Sequence, residues 1–196
     1  MARPSKKEGV ISQFGAPDDF KDLGPGAFSE KKFTEIQNLR RTVRIPADYV
    51  SATQISRHPA KGAIGTDNYI DPLVLKAAAV VPTDELVPGA KYDVRFYAIG
   101  GKLSSTEGLR FLREQRSLQI GVPGLSIIYD LLKGNLPCDR WVVALDDRGH
   151  LFKDEFGSYR VPMIKQPIAA SSAFLLGHFA NPWQNRQVLI SVVRIG

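Results

Sequence analysis

Five groups able to hold a hard cation or move a proton fall within ten residues of one another: Asp146, Asp147, His150, Asp154 and Glu155. Closely spaced carboxylates are what an oxygen-ligand metal site or a metal-dependent hydrolase or nuclease centre would need. Strand alternation, however, sends neighbouring side chains to opposite faces, and Asp146-Asp147-Arg148-Gly149 has the composition of a tight turn. The expectation is a solvated hairpin, with a return strand over His150 to Lys153, and no metal.

A second arrangement that could do chemistry is a strand followed by Gly100-Gly101-Lys102 and a helix, since backbone N–H groups at a helix start attract phosphate. A phosphate-binding loop requires G-x-x-x-x-G-K-[ST]. Here the leading glycine is missing and Leu103 follows the lysine, so an ordinary strand-to-helix turn is expected. Any phosphate would be sought at Lys102, Ser104 and Ser105. Nucleophilic catalysis has less support still: Cys138 follows a proline, and His58, His150 and His178 bear no readable relation to it. No G-x-S-x-G elbow occurs. No enzyme class and no cofactor is implied.

Residues suited to binding are easier to find. Arg40, Arg41 and Arg44 form the densest basic group, and guanidinium forks suit carboxylate or phosphate partners. Phe14, Phe20 and Phe28 punctuate a stretch rich in glycine and proline. Single aromatic residues on such a string are suited to dropping into pockets of a partner. Trp183, in the polar run Asn181-Pro182-Trp183-Gln184-Asn185, is a candidate hot spot for a protein partner, whereas Trp141, among Val and Ala, is expected in the core.

The elements that must position these residues divide the chain in two. Residues 1–28 are too broken by glycine and proline for either regular period and form an expected extended arm. In residues 29–90, a short helix from Ser29 to Arg41 with Phe33, Ile36 and Leu39 on one face must dock on something else, because one stripe of three cannot hold it. Thr42 to Ile45 and Tyr49 to Ile55 are expected to be extended, and 58–71 is a loop by composition. Eight of the thirteen prolines fall in the first ninety residues.

From residue 91 the texture changes. Tyr92, Val94, Phe96 and Ala98 alternate with Asp93, Arg95 and Tyr97, a strand. Helices are expected from Ser105 to about Leu118, from Pro123 to Lys133 and from Ser171 to Phe179, with strands at 141–145, 159–164 and 187–195. Residues 91–196 therefore make a compact α+β domain with an antiparallel or mixed sheet and about three helices, preceded by the arm.

The composition, 43% hydrophobic and 23% charged, is that of an ordinary soluble chain. The net charge of +6 gives a pI near 9.5. Residues 1–80 and 81–196 each carry an excess of three basic residues, so the charge is spread rather than gathered in the patch of a dedicated nucleic-acid domain. One cysteine allows no intrachain disulfide, and no apolar run is long enough for a membrane span.

A leading segment this poor in apolar surface cannot repay its ordering entropy alone. The expected function is therefore structural: a subunit of a large assembly, a virion component such as a capsid-associated, connector or tail protein among them, whose arm packs on neighbouring subunits. The alternatives are a nucleic-acid-associated subunit of a ribonucleoprotein, binding without sequence preference, and a small metal-dependent hydrolase or nuclease.

Overall fold

The computed structural model describes residues 32–57, 69–132, 135–166 and 172–196. The expected arm, with Phe14, Phe20 and Phe28, lies outside the described residues. The fold is α+β: the described residues form a mixed nine-stranded sheet with helices on both faces. Its backbone is β4 (Lys91–Ile99), paired antiparallel over its length with β9 (Gln187–Ile195). Beyond β9 come β5 (Trp141–Val143), β7 (Tyr159–Lys165), β8 (Ala173–His178) and the short β3 (Tyr69–Ile70). The β5–β9 and β3–β8 pairs are parallel. On the far side of β4 lie β1 (Phe33–Glu35) and β2 (Arg41–Arg44), and β6 (Phe152–Lys153) pairs with β7.

Strand alternation builds two cores, one on each face. Tyr92, Val94, Phe96, Val188, Ile190 and Val192 point to one side, where α1 (Ser51–Arg57), α2 (Pro72–Ala77) and α4 (Gly121–Leu132) cover them. Tyr97, Ile99, Val143, Leu145 and Leu189 point to the other, beneath α3 (Ser105–Glu114) and Trp183. Helix α4 is apolar almost all round and buried accordingly. Its first residue, Gly121, has φ +54°, and a Cβ there would lie 2.9 Å from Pro82 Cβ, so glycine satisfies both conformation and space.

Four local expectations are corrected. Within 29–41, the described residues form β1, a 3₁₀ turn at Gln37–Leu39 and the start of β2 rather than a helix. Pairing with β4 satisfies the backbone and buries Val43 and Ile45, and the Phe33 ring stacks on Phe111 at 3.8 Å between centroids; a three-residue stripe offered a helix less. Over Tyr49 to Ile55, helix α1 replaces the expected strand, because Gln54 and Ile55 bury together against α4, where Gln54 Nε2 donates to Asp130 Oδ2 at 2.8 Å.

Ala173–His178 is a strand, not a helix: the run is too short to favour either state alone, and β7 and β3 pair with its two edges. Gly177 within it leaves room for Trp183, whose Cη2 would lie 3.0 Å from a Cβ there. The return strand after residue 150 pairs forward with β7 and not back with β5. A 3₁₀ turn at Arg148–His150 interrupts the expected hairpin, and Asp154 nucleates the next one by accepting the backbone N–H groups of Phe156 and Ser158 at 3.0 and 2.8 Å.

The strands at 91–99, 141–143, 159–165 and 187–195 and the helices starting at Ser105 and Gly121 follow the sequence pattern. Helix α3 begins with a capping box, Ser104 Oγ accepting from Glu107 N at 3.2 Å and Glu107 Oε2 accepting from Ser104 N at 2.9 Å.

Candidate interaction surface

One face of the sheet is covered over only part of its length. Antiparallel register places Thr42 opposite Asp93 and Arg44 opposite Lys91, while Val193 and Ile195 lie opposite Asp93 and Lys91 on the other side. Directly opposed residues share a face. Toward Ile99 this face is buried beneath α3, but toward Lys91 it opens, with Thr42, Arg44, Lys91 and Ile195 exposed and Arg95 and Val193 half-buried.

At the centre of the open half lies Asp93, 4% exposed. Arg40 grips its carboxylate in a fork, Nε to Oδ1 at 3.0 Å and Nη2 to Oδ2 at 2.7 Å, and Arg95 Nε donates to Oδ2 at 2.8 Å. Burial pushes the Asp93 carboxyl upward, and the hydrogen bonds from Arg40 and Arg95 outweigh it, holding the group below the ordinary carboxylate range. Arg40 reaches Asp93 because the chain between β1 and β2 bulges out through the 3₁₀ turn: Ile36 N bonds Phe96 O, and Arg41 next pairs opposite Val94.

Two further arginines near this ion pair bond backbone carbonyls. Arg41 Nη1 donates to the carbonyls of Asn38 and Arg40, and Arg44 Nη1 to the carbonyl of Gly89. Among the described residues no acid pairs with Arg41, Arg44 or Lys91. A shallow depression of about 440 Å³ lies here, lined by Gln37, Arg40, Arg41, Thr42, Asp93 and Ile195. At the edge of the covered half, the fully buried Ser191 Oγ, opposite Arg95, and Glu35 Oε1 have no hydrogen-bond partner among the described residues. The surface is thus positive, partly apolar at Val193 and Ile195, and suited to anionic groups.

Of the residues expected from the sequence to bind partners, Arg40, Arg41 and Arg44 all lie along this edge, but only Arg40, through Asp93, and Arg44, opposite Lys91, belong to the open face; Arg41 stands opposite Val94 and belongs to the other. Trp183 is not part of this surface. It is 3% exposed, its Nε1–H donates to Ser105 Oγ at 2.8 Å, and the Ser105 hydroxyl donates to Phe179 O at 2.6 Å. The polar residues around Trp183 belong to a loop that folds its aromatic ring inward, pairing Leu103 with Trp183. Trp141, expected in the core, is only half-buried.

The helix start after Gly100-Gly101-Lys102 is occupied by its own Glu107, which also pairs with Lys32 at 3.0 Å; the Ser104 backbone bond, foremost, holds the Glu107 carboxyl low. The acidic residues of 146–155 diverge. Asp146 is fully buried and accepts from Thr83 Oγ1 at 2.5 Å and Asp147 N at 2.7 Å, and burial raises its carboxyl to about 6. Asp147 pairs with Arg113, and Asp154 with Arg160 Nε at 2.7 Å. A solvated hairpin was the expectation, yet two of these carboxylates are interior. Among the described residues no three His, Cys, Asp or Glu side chains come together as metal ligands.

Three participants were not singled out from sequence: Lys91, Asp93 and Arg95. Their signal is a strand whose second face reads Lys, Asp, Arg before turning apolar at Tyr97. Among the described residues no helix is long and apolar enough to cross a membrane. Comparison of the chain with protein families, with curated proteins and with solved structures finds no match.

Proposed function

We propose that this chain is a structural subunit of a larger macromolecular assembly, joined to neighbouring subunits through its N-terminal arm and the open basic half of its sheet. The observation that supports this reading most is the direct opposition of Arg44 and Lys91, to neither of which an acid pairs among the described residues. Like charges directly opposed on a ladder cost stability, and an acidic neighbour would remove the cost. The test is to express the full chain and a variant lacking residues 1–28 in the source cell and compare their sedimentation. The full chain is expected to sediment in a particle far larger than 21.6 kDa, the variant as a folded free subunit. Equal incorporation of both would contradict the reading.

The succession of Arg40, Arg41 and Arg44 along this sheet edge also favours a second reading, a nucleic-acid-associated subunit. It predicts retention of single-stranded RNA that falls steeply between 50 and 200 mM salt, roughly as the number of phosphates neutralised. Salt-independent or absent retention would dismiss it.

A further inference from the structure

We infer that Val81-Pro82-Thr83 is a strap across the buried Asp146 carboxylate, and that it lifts locally, with the rest of the fold intact, as the solution becomes less acidic. The strap has no regular secondary structure and runs between α2 and β4. It is held at both ends: His150 Nδ1 lies 2.9 Å from Val81 O, while Asp146 Oδ1 accepts from Thr83 Oγ1 at 2.5 Å and Asp146 Oδ2 from Thr83 N at 3.3 Å. Between these points Pro82 is buried, against the space that a Cβ on Gly121 would fill. Just beyond the strap, Asp84 anchors the chain to Gln119, Asp84 N donating to Gln119 O at 2.9 Å and Gln119 N to Asp84 Oδ2 at 2.8 Å. Val81, 65% accessible, and Thr83 are exposed, whereas Asp146 beneath them is wholly buried.

The charge beneath the strap makes it sensitive to pH. A carboxylate removed from water without a cation is unfavourable until it is protonated or rehydrated. Among the described residues no lysine or arginine pairs with Asp146. The charged groups around it have other partners: Asp147 is tied to Arg113 of α3, and Asp84 to Gln119. Residues 117–120 and the first turn of α4 hold no titratable side chain. His150 attracts the carboxylate, but only while its ring is protonated, so a rise in pH acts on both groups in the same direction. Burial raises the Asp146 carboxyl from 3.8 to about 6, and lifting the strap returns it to water and to its ordinary value. The closed form thus binds the proton more tightly than the lifted one. Its advantage is complete below 3.8 and is lost as the pH rises through about 6. Lifting breaks the Thr83 bonds and the His150 contact but no helix or strand, so it requires far less free energy than unfolding.

The test is amide hydrogen exchange in the full chain, followed by nuclear magnetic resonance at about pH 5 and about pH 8 and corrected for the intrinsic dependence of exchange on pH. From the two carboxyl values, the opening constant at the Thr83 amide is expected to rise about tenfold over that interval. It is expected to be insensitive to about 1 M urea, whereas amides of β4 open far less often and respond to urea. Asp146→Asn is expected to flatten the rise. Should that variant fail to fold, Thr83→Ala serves in its place: it removes the hydroxyl that favours the carboxylate, so the amide at position 83 is expected to open more often and with a steeper rise. An opening constant equal at the two pH values, or a rise unchanged by Asp146→Asn, overturns the inference. A Thr83 amide that follows urea as steeply as those of β4 also overturns it, because the pH dependence then belongs to unfolding of the whole chain.

Discussion

Arg44 and Lys91 stand directly opposite one another on the β2–β4 ladder, both exposed, on the same face as the buried Asp93. Two residues along β4, Arg95 adds a third cation, which Asp93 shares with Arg40. One carboxylate thus serves two guanidinium groups, and among the described residues no acid pairs with the opposed Arg44 and Lys91. A surface selected for stability alone would place an acid at one of the two positions.

Replacing Arg44 with Glu should consequently stabilise the isolated chain. The expected gain is about 0.5 kcal/mol by urea denaturation at low salt, shrinking at 0.5 M salt as the Lys91 attraction is screened. A loss of stability at low salt would show that Arg44 and Lys91 do not repel one another in the folded chain.

Asp93→Ala should cost roughly 2 kcal/mol of unfolding free energy, because it leaves two guanidinium groups facing each other without their acceptor. Since the Asp93 carboxyl is held low in the folded state, its contribution is complete at neutral pH and is lost as the pH falls below the ordinary carboxylate range. Equal midpoints for the variant and the parent chain at pH 7 would show that the fork from Arg40 contributes nothing.

Asp146 behaves in the opposite sense. Its carboxyl is raised by burial from 3.8 to about 6, so the folded state binds the proton more tightly than the unfolded chain does, and ionisation weakens the fold. The chain should gain up to roughly 3 kcal/mol from this group as the pH falls from about 6 to 3.8. Asp146→Asn keeps an acceptor for Thr83 Oγ1 and the Asp147 N–H and should remove that slope in denaturation midpoints. An identical slope in both proteins would rule out Asp146 as its source.

Trp183 should report an interior. In a Trp141→Phe background, its fluorescence is expected to be blue-shifted and nearly insensitive to iodide, whereas Trp141 in a Trp183→Phe background should be quenched more strongly. Strong iodide quenching of Trp183 would contradict the Ser105-bonded position.

Much of this was legible in the sequence where one period dominates. The alternation from Tyr92 to Ala98 and the dense Val and Ile of 187–195 fix the two central strands, and Ser104 with Glu107 marks the start of α3. Legibility failed where tertiary pairing decides. Residues 33–45 become strands because β4 offers a free edge, and Ala173–His178 because β7 offers another; neither edge is visible in a local window. Trp183 was misread for a related reason: polar neighbours describe its loop but not the direction of its ring. The arginines were found as a group, but their setting was not, since Asp93 lies 53 residues from Arg40 and only register joins them.

The central claim is that one copy's arm lies on another copy's sheet. A carbodiimide joins a carboxylate to a lysine only when the two are in contact, so a mixture of nitrogen-15-labelled and unlabelled full chains distinguishes exchange between copies from folding back. In an equimolar mixture, about half of the cross-linked peptides joining Lys91 to an acid of the arm should carry one labelled and one unlabelled half. Cross-links at Lys91 confined to pairs with matching labels, or to other acids, would contradict the account.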